Sequence, residues 1–210
     1  MRARFPAERA LQIVIALLVV SGAAMLARGL WIPAKGALAQ WLLEDAWRRT
    51  RLGEVGVPPW PGADTWPVAR LRVARLGVSD IVLEGASGST LAFAPGHLLG
   101  SAAPGGLGNS VLAGHRDTHF AFLRDLVPGD ELEVETREGR TRFYTVVSAH
   151  VAHERDLSAL GDRPRSRLTL LTCFPFESPV AGGVWRYVVV AEAGRSSPGN
   201  PASPGFSEAL

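Results

Sequence analysis

An all-β domain behind an N-terminal membrane helix is the architecture this 210-residue sequence predicts. Three observations carry the prediction. Between Val68 and Ala193, short runs alternate apolar and polar residues, with glycine, proline and aspartate marking turns between them. Helical periodicity is scarce over that stretch. Ahead of it, Ala10 to Ala27 is almost unbroken apolar sequence; at about 1.5 Å per residue, such a helix nearly crosses a bilayer core of about 30 Å.

Residues 1–9 hold Arg2, Arg4 and Arg9, a charge bias that favours a cytoplasmic N-terminus. The anchor is taken over residues 10–31, with Arg28 snorkelling at its end and Trp31 at headgroup level. A cleaved signal peptide is the competing reading. Its one good Ala-x-Ala site, Ala37-Leu38-Ala39, lies well past the apolar stretch, so an uncleaved anchor is favoured. Either way the bulk of the protein lies outside the cytoplasm.

Residues 32–67 connect the anchor to the main domain. Within them Gly36 to Thr50 sets Leu38, Trp41, Leu42 and Trp47 near helical spacing. That pattern fits a collar at the membrane interface or a helix packed on the main domain. Gly53 to Pro67, with Pro58, Pro59, Pro61 and Gly62, reads as a linker or an extended leading strand. At the other end, residues 194–210 are rich in Ser, Pro and Gly and read as a disordered tail.

The domain itself is placed at 68–193. Its candidate strands are Val68–Val73, Val78–Leu83, Ser110–His115, Glu131–Thr136, Arg142–His150, Arg167–Cys173 and Val184–Ala191. Gly105-Gly106, Pro128-Gly129-Asp130 and Glu138-Gly139 punctuate them. Phe120 to Leu126 has room for a single helical turn. Short strands this closely spaced make one barrel or sandwich.

Composition narrows the function. The net charge is only +2, Lys35 is the single lysine, and no basic run is interleaved with aromatics, which argues against nucleic-acid binding. Cys173 is the only cysteine, so an exported chain has no internal disulfide and carries an exposed-compartment thiol that is either inert and buried or chemically employed. It ends the alternating run Leu168-Thr169-Leu170-Leu171-Thr172-Cys173, just before Phe174-Pro175-Phe176.

Cysteine catalysis needs an imidazole to manage protons and a donor for the developing oxyanion. His115 closes the apolar strand Ser110-Val111-Leu112-Ala113-Gly114 and opens the polar Arg116-Asp117-Thr118, a place where a side chain is both fixed and accessible. Gly114 leaves room for a close approach. Arg186 follows the Gly182-Gly183 pair and starts a strongly apolar strand; it is a solvated strand end or a guanidinium fork aimed at a carbonyl oxygen. Asp117 is a helper carboxylate for His115 or a solvated loop acid. His119 is a substrate contact or a surface histidine, and His97, in Pro95-Gly96-His97, borders the cleft from a loop. No metal-ligand spacing and no cofactor motif is present in the sequence.

The string Thr169-Leu170-Leu171-Thr172-Cys173 resembles the TLxTC signature of the sortases, membrane-anchored cysteine transpeptidases. Asn109 to Asp117 is similar to the sortase histidine segment, Trp185-Arg186-Tyr187 fits the arginine strand, and the order His, Cys, Arg agrees. The longer strings Ala113 to Phe120 and Thr172 to Phe176 look most like the sortases of Gram-negative bacteria, with class D enzymes next. Papain-like proteases and the related cell-wall endopeptidases place Cys before His, and the Ser-x-Gly-Cys string of L,D-transpeptidases is absent.

The resemblance implies an eight-stranded β-barrel, and a single-pass inner-membrane protein whose catalytic domain is periplasmic. It implies that Cys173 attacks the scissile carbonyl of an LPxTG-like C-terminal sorting signal on a secreted protein. His115 then serves as acid and base, Arg186 holds the carbonyl oxygen, and Thr172 orients the thiol or binds substrate. The thioacyl-enzyme passes to an amine acceptor that no residue identifies. A cysteine protease using water, or an anchored interaction domain without catalysis, are the rival readings.

Overall fold

The computed structural model describes residues 7–161, 164–178, 180 and 182–194. The expected cytoplasmic segment before Ala7 and the expected tail beyond Gly194 lie outside the described residues.

The N-terminal apolar stretch and the amphipathic stretch after it form one helix, α1 (Ala7–Arg51), rather than two. Pro33 lies inside it. Proline removes one hydrogen bond without always ending a helix. By length and composition α1 is able to cross a membrane, a property it shares with signal sequences.

The folded unit that carries the site begins at Leu43. Leu43 and Trp47 are buried against Ile81, Leu83 and Ala94, with Trp60 packed alongside. Of the two expectations for the amphipathic stretch, packing on the main domain therefore holds from Leu43 onward. Burying side chains of this size stabilises by about 1.5–3 kcal/mol each. Trp60 also meets Phe93 edge-on at 4.7 Å between ring centroids, so the proline-rich connection is seated on the barrel.

Eight strands close a barrel in the order β1-β2-β3-β4-β7-β8-β6-β5. They are β1 (Pro67–Val73), β2 (Val78–Glu84), β3 (Gly96–His97), β4 (Asn109–Ala113), β5 (Glu131–Thr136), β6 (Thr141–His153), β7 (Arg167–Phe174) and β8 (Trp185–Ala193). The β2–β3 and β4–β7 pairs are parallel and the others antiparallel. All seven expected strands are present within a few residues. The eighth, β3, has only two residues, too few for any period to appear. A 3-10 turn, Ala121–Asp125, stands where a helical turn was expected.

Alternation along each strand sorts residues into two layers. Leu168 and Leu170 of β7 and Val189 and Ala191 of β8 join Leu71, Leu112, Phe120 and Tyr144 inside the barrel. Leu171, Val188 and Val190 face outward instead, where they meet Ala152 and Ala159. That second, outward layer positions the site.

One polar brace lies apart from it. Arg75 grips both oxygens of buried Asp130 at 2.6 Å, and Val127 N–H donates to the same carboxylate. The Arg75 hydrogen bonds, chiefly, hold the Asp130 carboxyl below its usual 3.8. A depressed folded-state value contributes stability above the ordinary carboxylate range and loses it as pH falls through the folded value. Arg75→Ala should therefore lower the thermal midpoint at pH 7. In a series of melts the difference should shrink as pH drops below 3.8.

Candidate active site

The strand register brings the three principal candidates to one end of the barrel's outward face. Cys173 on β7 and Arg186 on β8 are direct cross-strand partners, so their side chains leave the sheet on the same side. On the other flank of β7, Ala113 pairs with Leu171, and Gly114 N–H extends that ladder by donating to Leu171 O at 3.1 Å. His115 comes next. The strand had been expected to include it, but β4 stops at Ala113 because the chain turns: His115 O accepts from Phe120 N–H at 3.0 Å. His115 is consequently exposed while its backbone is fixed.

Cys173, His115 and Arg186 all line a cleft of about 370 Å³. Its floor is the outward apolar layer, including Ala113, Leu171 and Val188. Its wall is the connection between β6 and β7, which carries Leu157 and Leu160. Asn109 ties that wall down: its Nδ2 donates to Ala159 O at 2.8 Å and Gly161 O at 3.3 Å, while its Oδ1 accepts from Thr169 Oγ1 at 2.8 Å. Both residues are buried. Pairing one amide with a threonine satisfies groups whose burial is otherwise costly.

Thr172 alternates to the opposite side of the strand from Cys173, is buried, and also contributes to the lining of the cleft. Its Oγ1 donates to Gly114 O at 2.8 Å, which joins the cysteine strand to the segment that presents His115. Gly114 is packed against the Phe120 ring, and a Cβ there lies 2.6 Å from the ring carbon. Phe120 is fully buried and has nowhere to go. Gly114→Ala is expected to destabilise by about 1–3 kcal/mol through overpacking and to shift His115. Urea unfolding reads the first effect, and activity relative to wild type reads the second.

The other sequence candidates are not brought to this cleft. Asp117 is two-thirds exposed, with Arg116 Nε 3.5 Å away. His119 Nδ1 lies 3.5 Å from Asp80 Oδ1. His97 lines a second cleft, of about 390 Å³, together with Glu84 and Ser101. The ends of β2 and β5 border this second cleft, so it belongs to the other end of the barrel. The trio has the membership of a hydrolase triad, but Ser101 Oγ already donates to Leu98 O at 2.7 Å and accepts from Val111 N–H at 3.1 Å. His97 Nε2 is 2.9 Å from the carbonyl of Ala102. Those contacts make it a brace for the β3–β4 connection.

Two residues escaped the sequence reading. Buried Arg116 reaches across to the β7–β8 connection, donating from Nη2 to Ser178 O at 2.9 Å and Val180 O at 2.5 Å. The start of that connection is seated by Phe176, which packs on Tyr187 at 5.1 Å and under Arg124 at 5.3 Å. Glu154 lines the cleft and pairs with Arg186 Nη2 at 2.8 Å. Arg116 adjoins His115 in the sequence and was open to notice; Glu154 is 32 residues from its partner and bears no local signal.

The profile of the sortase domain family matches residues 71–194. This chain belongs to the sortase family. Sortase D of Bacillus subtilis (strain 168) is 30% identical over 120 residues, 57% of this chain and 60% of that protein, so the chain spans under two-thirds of that relative's length. Among solved structures, a Clostridium perfringens Sortase D5 transpeptidase is 23% identical, covers 75% of this chain and 98% of its own, and superposes with a TM-score of 0.60. For Sortase A from Corynebacterium diphtheriae the figures are 26%, 79%, 88% and 0.58. For sortase C-1 from Actinomyces oris they are 30%, 61%, 75% and 0.55. The sortase barrel is thus shared across relatives named as classes A, C and D.

Proposed function

We propose that this sortase is a membrane-anchored cysteine transpeptidase that cleaves an LPxTG-like C-terminal sorting signal and transfers the acyl group to an amine. The cross-strand pairing of Cys173 with Arg186, beside the end of the His115 strand, carries the reading. Residues 10–31 are its anchor, 32–67 join anchor to barrel, and 68–193 form the catalytic domain. The strings around His115 and Cys173 support placement among the sortases of Gram-negative bacteria, in the inner membrane with the barrel in the periplasm.

In the first half-reaction the Cys173 sulfur, as thiolate, attacks the scissile carbonyl. Negative charge collects on the carbonyl oxygen, and the Arg186 fork faces it. The carbon–nitrogen bond then breaks, His115 gives its proton to the departing amine, and a thioester remains on Cys173. In the second half an acceptor amine attacks the thioester, His115 takes up its proton, and the thiolate leaves as the new amide forms. The apolar floor favours an extended peptide with an apolar side chain over the outward layer.

The test is incubation of the full chain in detergent with an LPxTG-type peptide, followed by intact mass. An acyl adduct on Cys173, released as a ligated product by an added amine, is the expected result. Release only as free acid points to a water-using protease. An unreactive Cys173 overturns the catalytic reading.

A further inference from the structure

Arg186 is held from three sides. Its Nη1 donates to Gly183 O at 2.6 Å and to Trp185 O at 3.0 Å, and its Nη2 donates to Glu154 Oε2 at 2.8 Å. A guanidinium has five N–H donors. Among the described residues, Nε–H and one Nη2–H are left without a partner. The two carbonyls belong to the chain on either side of Arg186 and hold only one nitrogen. Glu154 is the one side chain that fixes the second, and with it the rotation of the planar group about its stem.

Glu154 is itself fixed. It follows β6 immediately, and its N–H donates to Val184 O at 2.7 Å, one step beyond the β6–β8 pairing that ends at His153 and Trp185. The rings of that last pair meet edge-on at 5.3 Å. The carboxylate therefore stands on a continued ladder rather than on a free loop, and it lines the same cleft as Cys173.

From this geometry we infer that Glu154 is a positioning residue for the reaction: it sets the orientation of the Arg186 fork toward the substrate carbonyl. The inference rests on the assignment of Arg186 as the oxyanion donor. A fork that must meet an oxygen appearing only in the transition state gains from being held beforehand, because no reorganisation is then needed as charge develops. Half-exposed ion pairs add little to stability, so the pair's contribution lies in orientation. Glutamine at 154 keeps an oxygen acceptor at the same reach; alanine removes it.

The experiment uses the full chain in detergent with an LPxTG-type peptide and an added primary amine. Glu154→Ala is expected to lower kcat on the order of tenfold, less than loss of the donor itself, with KM nearly unchanged and the thermal midpoint unmoved. Glu154→Gln should recover most of the rate. In an Arg186→Ala background, Glu154→Ala should have no further effect, the non-additivity expected of residues acting as one unit. Independently of any substrate, the Arg186 Nη resonances in ¹⁵N spectra should be distinct in the wild type and averaged in Glu154→Ala. An unchanged or raised kcat in Glu154→Ala, an additive double variant, or identical Arg186 spectra overturns the inference. Full activity in Arg186→Ala alone overturns the oxyanion assignment beneath it, and is told apart because Glu154 is then intact.

Discussion

Cys173→Ala should bring turnover to the assay floor while leaving the fold intact. Loss of a covalent nucleophile costs on the order of 10⁶ in kcat in well-studied hydrolases. No other cysteine exists in the chain to substitute for it. Cys173 is only partly buried and makes no disulfide, so removing its sulfur opens little cavity and the thermal midpoint should hold. Titration with a small alkylating reagent supplies the companion measurement: one equivalent should inactivate the wild type and none should attach to the variant. Residual turnover in Cys173→Ala would place the chemistry elsewhere.

Arg186→Lys should lower kcat by about a hundredfold, although the charge is kept. Lysine offers one compact ammonium on a flexible stem and loses the planar fork. In this chain it also loses the simultaneous grip of Gly183 O, Trp185 O and Glu154. A lysine nitrogen that satisfies Glu154 has no second rigid donor to direct at substrate. Steady-state kinetics with the peptide and amine used for wild type decide the matter; a variant within a few-fold of wild type means that charge alone suffices.

The barrel was legible in the sequence because seven of its strands are long enough to show alternation and are bounded by turn residues. β3 was not, since two residues, Gly96 and His97, carry no period. Continuity of α1 was not legible because the apolar stretch and the amphipathic stretch after it carry different patterns. The candidate trio was legible because each member sits in a distinctive string: Cys173 after Thr172, His115 after Gly114, Arg186 between Trp185 and Tyr187. Their convergence was not, because it follows from parallel pairing of β4 with β7 and antiparallel pairing of β7 with β8. Glu154 escaped notice for the same reason, and so did the parts played by Asn109 and Thr169 within their strings: what each does depends on a partner distant in sequence. His97 shows the converse error, since a histidine in a glycine-flanked loop suggested the cleft when its hydrogen bonds serve a connection at the barrel's other end.

The alternation of β7 has a consequence for how such an enzyme is able to change. Leu168 and Leu170 belong to the interior, whereas Leu171 and Cys173 line the cleft and Thr169, on the same outward side, is buried beneath its wall against Asn109. One ribbon thus serves two clients on its two sides, and mutations answering to one are largely hidden from the other. The cleft wall hangs from the outward side by two side chains, Asn109 and Thr169. A foreign β6–β7 connection that offers the same carbonyls to Asn109 can be grafted there as a cassette, and selectivity can drift without the barrel having to be refolded around it.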